Sequence, residues 1–273
     1  MRIAVIGHVE HVTLGRVVAL PGLGDIVHLD EPRIIAGGGG GVTFFQLVKS
    51  PAQVVLFTAL GGDAAGAEVE AMLVASGAAL HLARRAEPHT RDIVLLTPEG
   101  ERTIVVLGWP QHPRFADPLP WDELAACDAA YFTGQDPETL RAARQAKLLI
   151  VSARRREALD ASGVRADVVV GSRLDSREVS ALADYRVRPG ALVLTAGAEG
   201  GRIETAAGYE TFAAPPPPPV VRSSYGAGDS FVGALVWFLA SGVPLAEACV
   251  RAGAFGVAVL RDHDTIAAQA RLG

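Results

Sequence analysis

The chain has 273 residues, 49% of them hydrophobic and 20% charged, with 30 glycines and 17 prolines. That is enough apolar material for one sizeable core, or a core with a small appended lobe, joined by many tight turns. A formal net charge of -5 excludes a general nucleic-acid binder, whose phosphate contacts need a basic face, but leaves room for a local basic pocket.

The two cysteines, Cys127 and Cys249, lie in Ala-rich, helix-like contexts and read as buried thiols. No CxxC pair offers a zinc site. The apolar run in MRIAVIGHVE is too short for a signal peptide. The longest apolar stretch, Phe231 to Leu245, is interrupted by Gly233, Gly242 and Pro244 and falls short of a membrane span. The expectation is a soluble, cytoplasmic protein with neither a nucleic-acid nor a membrane partner.

In chain order, Arg2 to Gly7 is a β-branched run ending in glycine, a buried first strand. Residues Val12 to Ile35 alternate apolar stretches with Pro21-Gly22 and Asp30-Glu31-Pro32, as strands joined by turns do. The run Gly37 to Gly41 precedes a helix over Thr43 to Lys49. A buried strand (Val54 to Ala59) and a helix over Ala64 to Ser76, closed by Gly77, follow. Arg91 to Leu96 and Arg102 to Leu107 flank Thr97-Pro98-Glu99-Gly100-Glu101 as the arms of a hairpin.

From Trp121 the pattern alternates. Helices are expected near Trp121 to Cys127, over Pro137 to Ala146 and near Ser176 to Tyr185. Strands are expected over Ala129 to Thr133, Leu148 to Ser152, Asp167 to Val170 and Leu192 to Thr195. Near-continuous apolar strands alternating with helices imply an α/β fold, a mostly parallel sheet covered on both faces. The strand-rich patches 12–35 and 91–107 break the rhythm and suggest a small β lobe. Pro215 to Pro219 reads as a stiff connector.

The chemistry concentrates in Ser223-Ser224-Tyr225-Gly226-Ala227-Gly228-Asp229-Ser230-Phe231. Gly226 and Gly228 leave amides bare to an anion, and the following helix adds unpaired N–H groups and the positive end of its dipole. Asp229 in the first turn could accept a proton from an attacking hydroxyl beside that cradle. The bland alternative is a glycine turn with Asp229 as helix cap. GAGD alone does not separate the two.

Context does. The segment resembles the C-terminal signature of the ribokinase-like (PfkB) carbohydrate kinases, Asp-Thr-x-Gly-Ala-Gly-Asp-x-Phe. Thr195-Ala196-Gly197-Ala198-Glu199-Gly200 resembles that family's Thr-x-Gly-x-x-Gly nucleotide loop. Gly37 to Gly41 falls at its Gly-Gly substrate motif, and Gly61-Gly62-Asp63-Ala64-Ala65-Gly66 is similar to its Gly-x-Asp-x-x-Gly. Glu99-Gly100-Glu101-Arg102 resembles its second lid segment. The matches occur in the family's order along nearly the whole chain.

The resemblance implies a ribokinase-like α/β domain over residues 1–273, with a β-sheet lid built from about 12–35 and 88–108. It implies an ATP-dependent kinase of a sugar, sugar acid, polyol or nucleoside, with Asp229 as base and the Gly226, Ala227, Gly228 and Asp229 amides as anion hole. Thr195, Gly197 and Gly200 would lie near ATP, and Glu10, Gly37, Gly38 and Gly39 near the acceptor. Mg2+ would arrive with ATP, held mainly by phosphates and water. Pairing of lids suggests a homodimer.

Several positions depart from the family pattern. Ser223 and Ser224 replace the leading Asp-Thr. Val12 stands where a substrate-binding Asp is expected, with Glu10 the nearest acid. Val42 stands near an expected Asn, and Ser172-Arg173-Leu174-Asp175 softens an Asn-x-x-Glu. This pattern favours an unusual substrate, and equally permits a catalytically weak ligand-binding member of the same fold.

Other constellations carry less. On a strand, His8 and His11 would point to opposite faces, so His8-Val9-Glu10-His11 is not read as a metal site. A Walker loop needs Gly-Lys-Ser/Thr, and neither lysine, Lys49 or Lys147, follows a glycine. Gly7 stands alone where a dinucleotide fingerprint would need three glycines. Arg154-Arg155-Arg156 reads as solvated surface, and Trp109 and Trp121 as packing around the lid.

Overall fold

Alternation along the first strand sets up two cores. The computed structural model describes residues 1–273. In it, β1 (Arg2–Ile6) sends Ile3 and Val5 into one apolar cluster and Ala4 and Ile6 into another. Successive side chains of a strand point to opposite faces, so a continuous apolar run marks a sheet covered on both sides.

The first half continues with β2 (Glu10–Arg16), β3 (Asp30–Gly37), α1 (Gly38–Val48), β4 (Gln53–Gly61), α2 (Ala64–Ala75), β5 (Ala79–Arg85), β6 (Arg91–Leu96) and β7 (Arg102–Leu107). Then come β8 (Ala129–Phe132), α3 (Pro137–Ala143), β9 (Leu148–Ser152), α4 (Arg156–Ser162), β10 (Val168–Ser172) and β11 (Ala191–Thr195). The chain closes with β12 (Gly201–Thr205), β13 (Gly208–Phe212), α5 (Ala227–Ala240), α6 (Leu245–Ala258) and α7 (Thr265–Ala268).

Nine strands form one sheet in the order β13-β12-β11-β10-β9-β8-β1-β4-β5. From β11 across to β5 the neighbours are parallel; β12 and β13 close one edge as an antiparallel hairpin. Residues of α1, α2, α5 and α6 fill one core (Phe44, Leu73, Leu235, Ala248), and those of α3 and α4 fill the other (Leu140, Leu159). A second, four-stranded sheet, β3-β2-β6-β7, forms the lid. Its buried face contributes Val12, Leu14, Ile35, Val94 and Leu96 to a third cluster.

Three expectations need correction. No α-helix forms near Ser176 to Tyr185; the segment holds turns and a 3-10 turn at Leu182–Asp184. Its polar side chains capture backbone donors instead: Asp175 accepts from the Arg177 amide (3.0 Å) and Glu178 from the Ser172 amide (2.8 Å). The helix after the glycine run begins inside it, at Gly38. A Cβ on Gly40 would stand 2.4 Å from the His8 carbonyl oxygen, so only glycine lets the helix start lie against the β1–β2 link. Finally, His8 is on no strand, because β1 ends at Ile6 and β2 begins at Glu10. No helix is long and apolar enough to cross a membrane.

Candidate active site

In open α/β sheets, ligands gather where the strand order reverses, beyond the carboxyl ends of the strands. Here that point is β1, with β4 on one side and β8 on the other. A Cβ on Gly7 would stand 2.3 Å from Thr133 Cγ2, so the ends of β1 and β8 converge closely.

The cradle forms at the start of α5. Gly226 is the N-cap in the left-handed region (φ 75°), and no side chain caps the helix. The first turn closes with Ser230 N–H donating to the Gly226 carbonyl at 2.9 Å. The amides of Ala227, Gly228 and Asp229 therefore have no acceptor within the helix. A Cβ on Gly228 would meet nothing within 4 Å, so this turn faces open space. A Cβ on Gly226 would lie 2.5 Å from Thr265 Cγ2 and 3.1 Å from Val42 Cγ1: the turn is wedged between α7 and α1.

The glycine run brings the opposite wall to Asp229. A Cβ on Gly39 would stand 3.4 Å from Asp229 Oδ1 and 3.6 Å from Thr133 Oγ1. One on Gly38 (φ 75°) would lie 2.9 Å from Glu10 Oε2, and one on Gly37 would lie 2.4 Å from the Tyr225 hydroxyl, which accepts from the Gly38 amide at 3.0 Å. Gly37, Gly38, Gly39, Glu10 and Asp229 thus share one cleft. Val12 and Val42, fully buried, pack with Tyr225 under the lid. These two positions form an apolar seam.

Burial raises the Asp229 carboxyl to about 6, with the charge of Glu178 adding to the effect and Arg102 and Arg154 opposing it. Arg102 comes from the lid, its Nη1 donating to Ser224 Oγ at 3.2 Å. The hairpin tip docks there too, with Ser224 N–H donating to the Gly100 carbonyl at 2.8 Å. Glu10 lies against Asp92 of β6. Burial raises both carboxyls, and the Asp92 charge pushes Glu10 further up, so the pair resists carrying two charges.

Thr195 ends β11, and Gly197 and Gly200 (φ 59° and 85°) shape the turn into β12, where Ala196 N–H donates to the Gly200 carbonyl at 2.7 Å. Register pairs Thr195 with Ser172, whose amide donates to Glu178, so this turn borders the acids that face the cradle. Arg154 holds both acids, Glu178 at 2.8 Å. A cavity of about 460 Å³ lined by Pro215, Pro216, Ala254, Val257, Ala258, Arg261 and Ala268 lies along α6. There a Cβ on Gly256 would approach the Ala227 carbonyl to 3.0 Å. A cavity of about 390 Å³ near Arg2, Gln53 and Ala79 lies at the opposite, amino ends of the strands.

Sequence reasoning missed Asp92, His112 and Thr133, and gave His8 and Arg155 other readings. Arg155 does not lie on open surface: its Nε donates to the Thr133 carbonyl at 2.9 Å, half-buried in the cleft. His8 turns toward Gly39 and Glu10, while His11 pairs with Glu68 at 2.7 Å, so the two histidines do not converge. No local pattern marks these residues, which come from separate segments.

Residues 166–271 match the family model described as pfkB family carbohydrate kinase. No curated protein matches the chain by sequence. The fold is that of a putative ribokinase from Agrobacterium tumefaciens (TM-score 0.81, 19% identity, 99% of this chain and 94% of that one). It is equally that of ribokinase from Thermotoga maritima (0.78, 16%, 99% and 96%) and of Arabidopsis thaliana ribokinase complexed with ribose and ATP (0.75, 17%, 98% and 95%). The resemblance to the ribokinase-like (PfkB) carbohydrate kinases is borne out, by the family match in the C-terminal part and by the fold over nearly the whole chain.

Proposed function

We propose that the protein transfers the terminal phosphoryl group of ATP to a hydroxyl of a small sugar, sugar acid, polyol or nucleoside. The observation that carries this reading is the placement of Asp229, in the first turn of an uncapped helix and directly across from the Gly39 edge. Asp229 takes the hydroxyl proton as the acceptor oxygen forms its bond to phosphorus and the bond to the leaving diphosphate breaks. The Gly226 to Asp229 amides hold the charge of the transferring group. A carboxyl near 6 is basic enough to accept that proton and still ionised at neutral pH.

Glu10, Gly37, Gly38 and Gly39 border the acceptor. Thr195, Gly197 and Gly200 border ATP, whose base fits the cavity along α6. Asp175 and Glu178 are already engaged by Arg154. No protein carboxylate is therefore assigned to Mg2+; arriving with ATP, the ion would be held by phosphate oxygens and water and would neutralise phosphate charge. The lid segments, 12–35 and 88–108, close the acceptor side. The outer strand β7 is exposed throughout, with Ile104 to Leu107 each 41–48% accessible. An apolar sheet edge of this kind pairs readily with a second copy, as expected of a homodimer through the lid.

A second reading is a catalytically weak ligand-binding member, favoured by the burial of Val12 and Val42 in an apolar seam. ADP release across a panel of sugars, sugar acids, polyols and nucleosides separates the two. The kinase reading expects turnover with at least one member and its loss in Asp229→Asn; calorimetric binding without any ADP release supports the second.

A further inference from the structure

Three consecutive arginines follow β9, and their fates differ. Arg154 is paired with Asp175 and Glu178, and Arg156 faces Asp184 at 3.8 Å. Arg155 enters no ion pair. Its Nε is anchored on the Thr133 carbonyl, which leaves the two terminal nitrogens of its fork uncommitted. Burial disfavours its charge, yet the strongly basic guanidinium keeps it.

Around it stand two histidines short of partners. His8 and His112 meet edge-to-face with ring centroids 4.8 Å apart, and both are buried. His8 Nδ1 and both ring nitrogens of His112 have no hydrogen-bond partner within the protein. Burial and then the Arg155 charge hold His8 down to about 3 against a backbone contact with Thr133, and burial with the His8 and Arg155 charges holds His112 to about 2, so both are neutral rings, His112 with an N–H to offer. Buried polar groups left unmatched are costly, and three such nitrogens clustered beside an unpaired guanidinium point to a ligand that completes them. The carboxyls whose charge reaches Arg155 are Glu10 and Glu178; Glu178 is paired with Arg154, and Glu10 resists ionisation beside Asp92.

A fixed, unpaired guanidinium fork flanked by neutral imidazole donors matches an oxyanion. The wall lies on the β1 and β8 side, with Gly39 and Thr133, whereas the turn after β11 lies toward the opposite edge of the sheet. We infer that the phosphoryl acceptor is anionic, and that its carboxylate or phosphate sits against Arg155, His8 and His112 while its hydroxyl faces Asp229. This rests on the acceptor site assigned above. It also accounts for Val12 and Val42, since polar recognition is carried by the other wall of the cleft.

The test uses matched probes on the full chain: ribose, ribonate and ribose 5-phosphate, and glucose, gluconate and glucose 6-phosphate. Calorimetric affinity and ADP release are read for wild type, Arg155→Gln and Arg155→Lys. The expected result is at least a tenfold preference for an anionic member over its neutral counterpart. Arg155→Gln should abolish that preference without lowering the melting temperature, and Arg155→Lys should restore it in part. The carboxylate and phosphate arms show which oxyanion the wall takes. Arg155-dependent binding of an anion without ADP release would leave the inference standing and remove the kinase reading. ADP release with a neutral member at equal or better efficiency would do the reverse. Binding of no anionic probe, or an Arg155→Gln defect confined to ATP affinity, overturns the inference. If Arg155→Gln is unstable, the comparison falls to Arg155→Lys, which keeps the charge but loses the fork; unchanged anion affinity there also overturns it.

Discussion

The cradle at the start of α5 and the wall formed by His8, Glu10, His112 and Arg155 face each other across one cleft, yet they are built on opposite plans. The cradle is local: four consecutive residues, two of them glycines, use the free amides that any helix start provides. The wall is distributed, with side chains from the β1–β2 link, β2, the segment after the lid and the turn after β9. A generic function, holding a transferring phosphoryl group, can be written in one short stretch. Fitting a particular acceptor needs groups from several directions, and only packing brings them together.

The largest effect that should sharpen this contrast is at Asp229. Asp229→Asn is expected to lower turnover by about 10³-fold, within the usual reach of base catalysis. Ionisation of this carboxyl opposes folding: its folded value, about 6, lies above the ordinary 3.8. The stability it contributes at low pH is lost as pH rises through 6. Asp229→Asn should therefore melt a few degrees higher than wild type at pH 7.5 and lose that advantage below pH 4. A variant that kept full turnover, or that melted lower at pH 7.5, would break the assignment of Asp229 as a strained base.

Next in size is a contrast between the two cradle glycines. Gly228→Ala places a methyl in open space and should leave the melting temperature within about 2 °C while cutting turnover roughly 10–100-fold by crowding the amides. Gly226→Ala meets a positive φ, Thr265 and Val42, and should cost about 1–3 kcal/mol of stability by denaturant unfolding. Equal destabilisation by both would mean that the Gly228 turn does not face the cleft.

The pH profile offers a smaller signal. With Asp229 as the acting base, kcat/KM should fall tenfold per pH unit below about 6 and level off above it. A flat profile from pH 5 to 7.5 would exclude the carboxylate as the group that takes the proton. The smallest effect concerns the lid edge: Val105→Lys should shift a dimer toward monomer in light scattering, with less than a threefold change in turnover. An unaltered mass would remove β7 as the dimer edge.

The glycines, the aspartate and the buried strands could be read from the chain because their meaning is local. RIAVIG reads as a two-faced strand from its own residues, and glycine before a helix leaves amides bare to an anion, a reading that the order of the other motifs supports. The antiparallel pair β12 and β13 and strand β5 escaped notice, since their short, mixed polar and apolar sequences resemble loops until a neighbouring strand pairs with them. The helix expected near 176 to 185 failed for the converse reason: Asp175 and Glu178 are drawn to Ser172, Arg177 and Arg154, partners that composition does not reveal.

By itself, then, the order of residues determined the α/β class and the glycine turn that sets Asp229 in the first turn of a helix, because backbone conformation and helix ends follow from neighbouring residues. Only the tertiary structure decided which of three adjacent arginines enters the cleft, which of two nearby histidines faces it, and that Glu10 meets Asp92. Those outcomes depend on which distant carboxylate or carbonyl reaches a side chain first. Burial then sets their charge, by removing the water that would otherwise stabilise it.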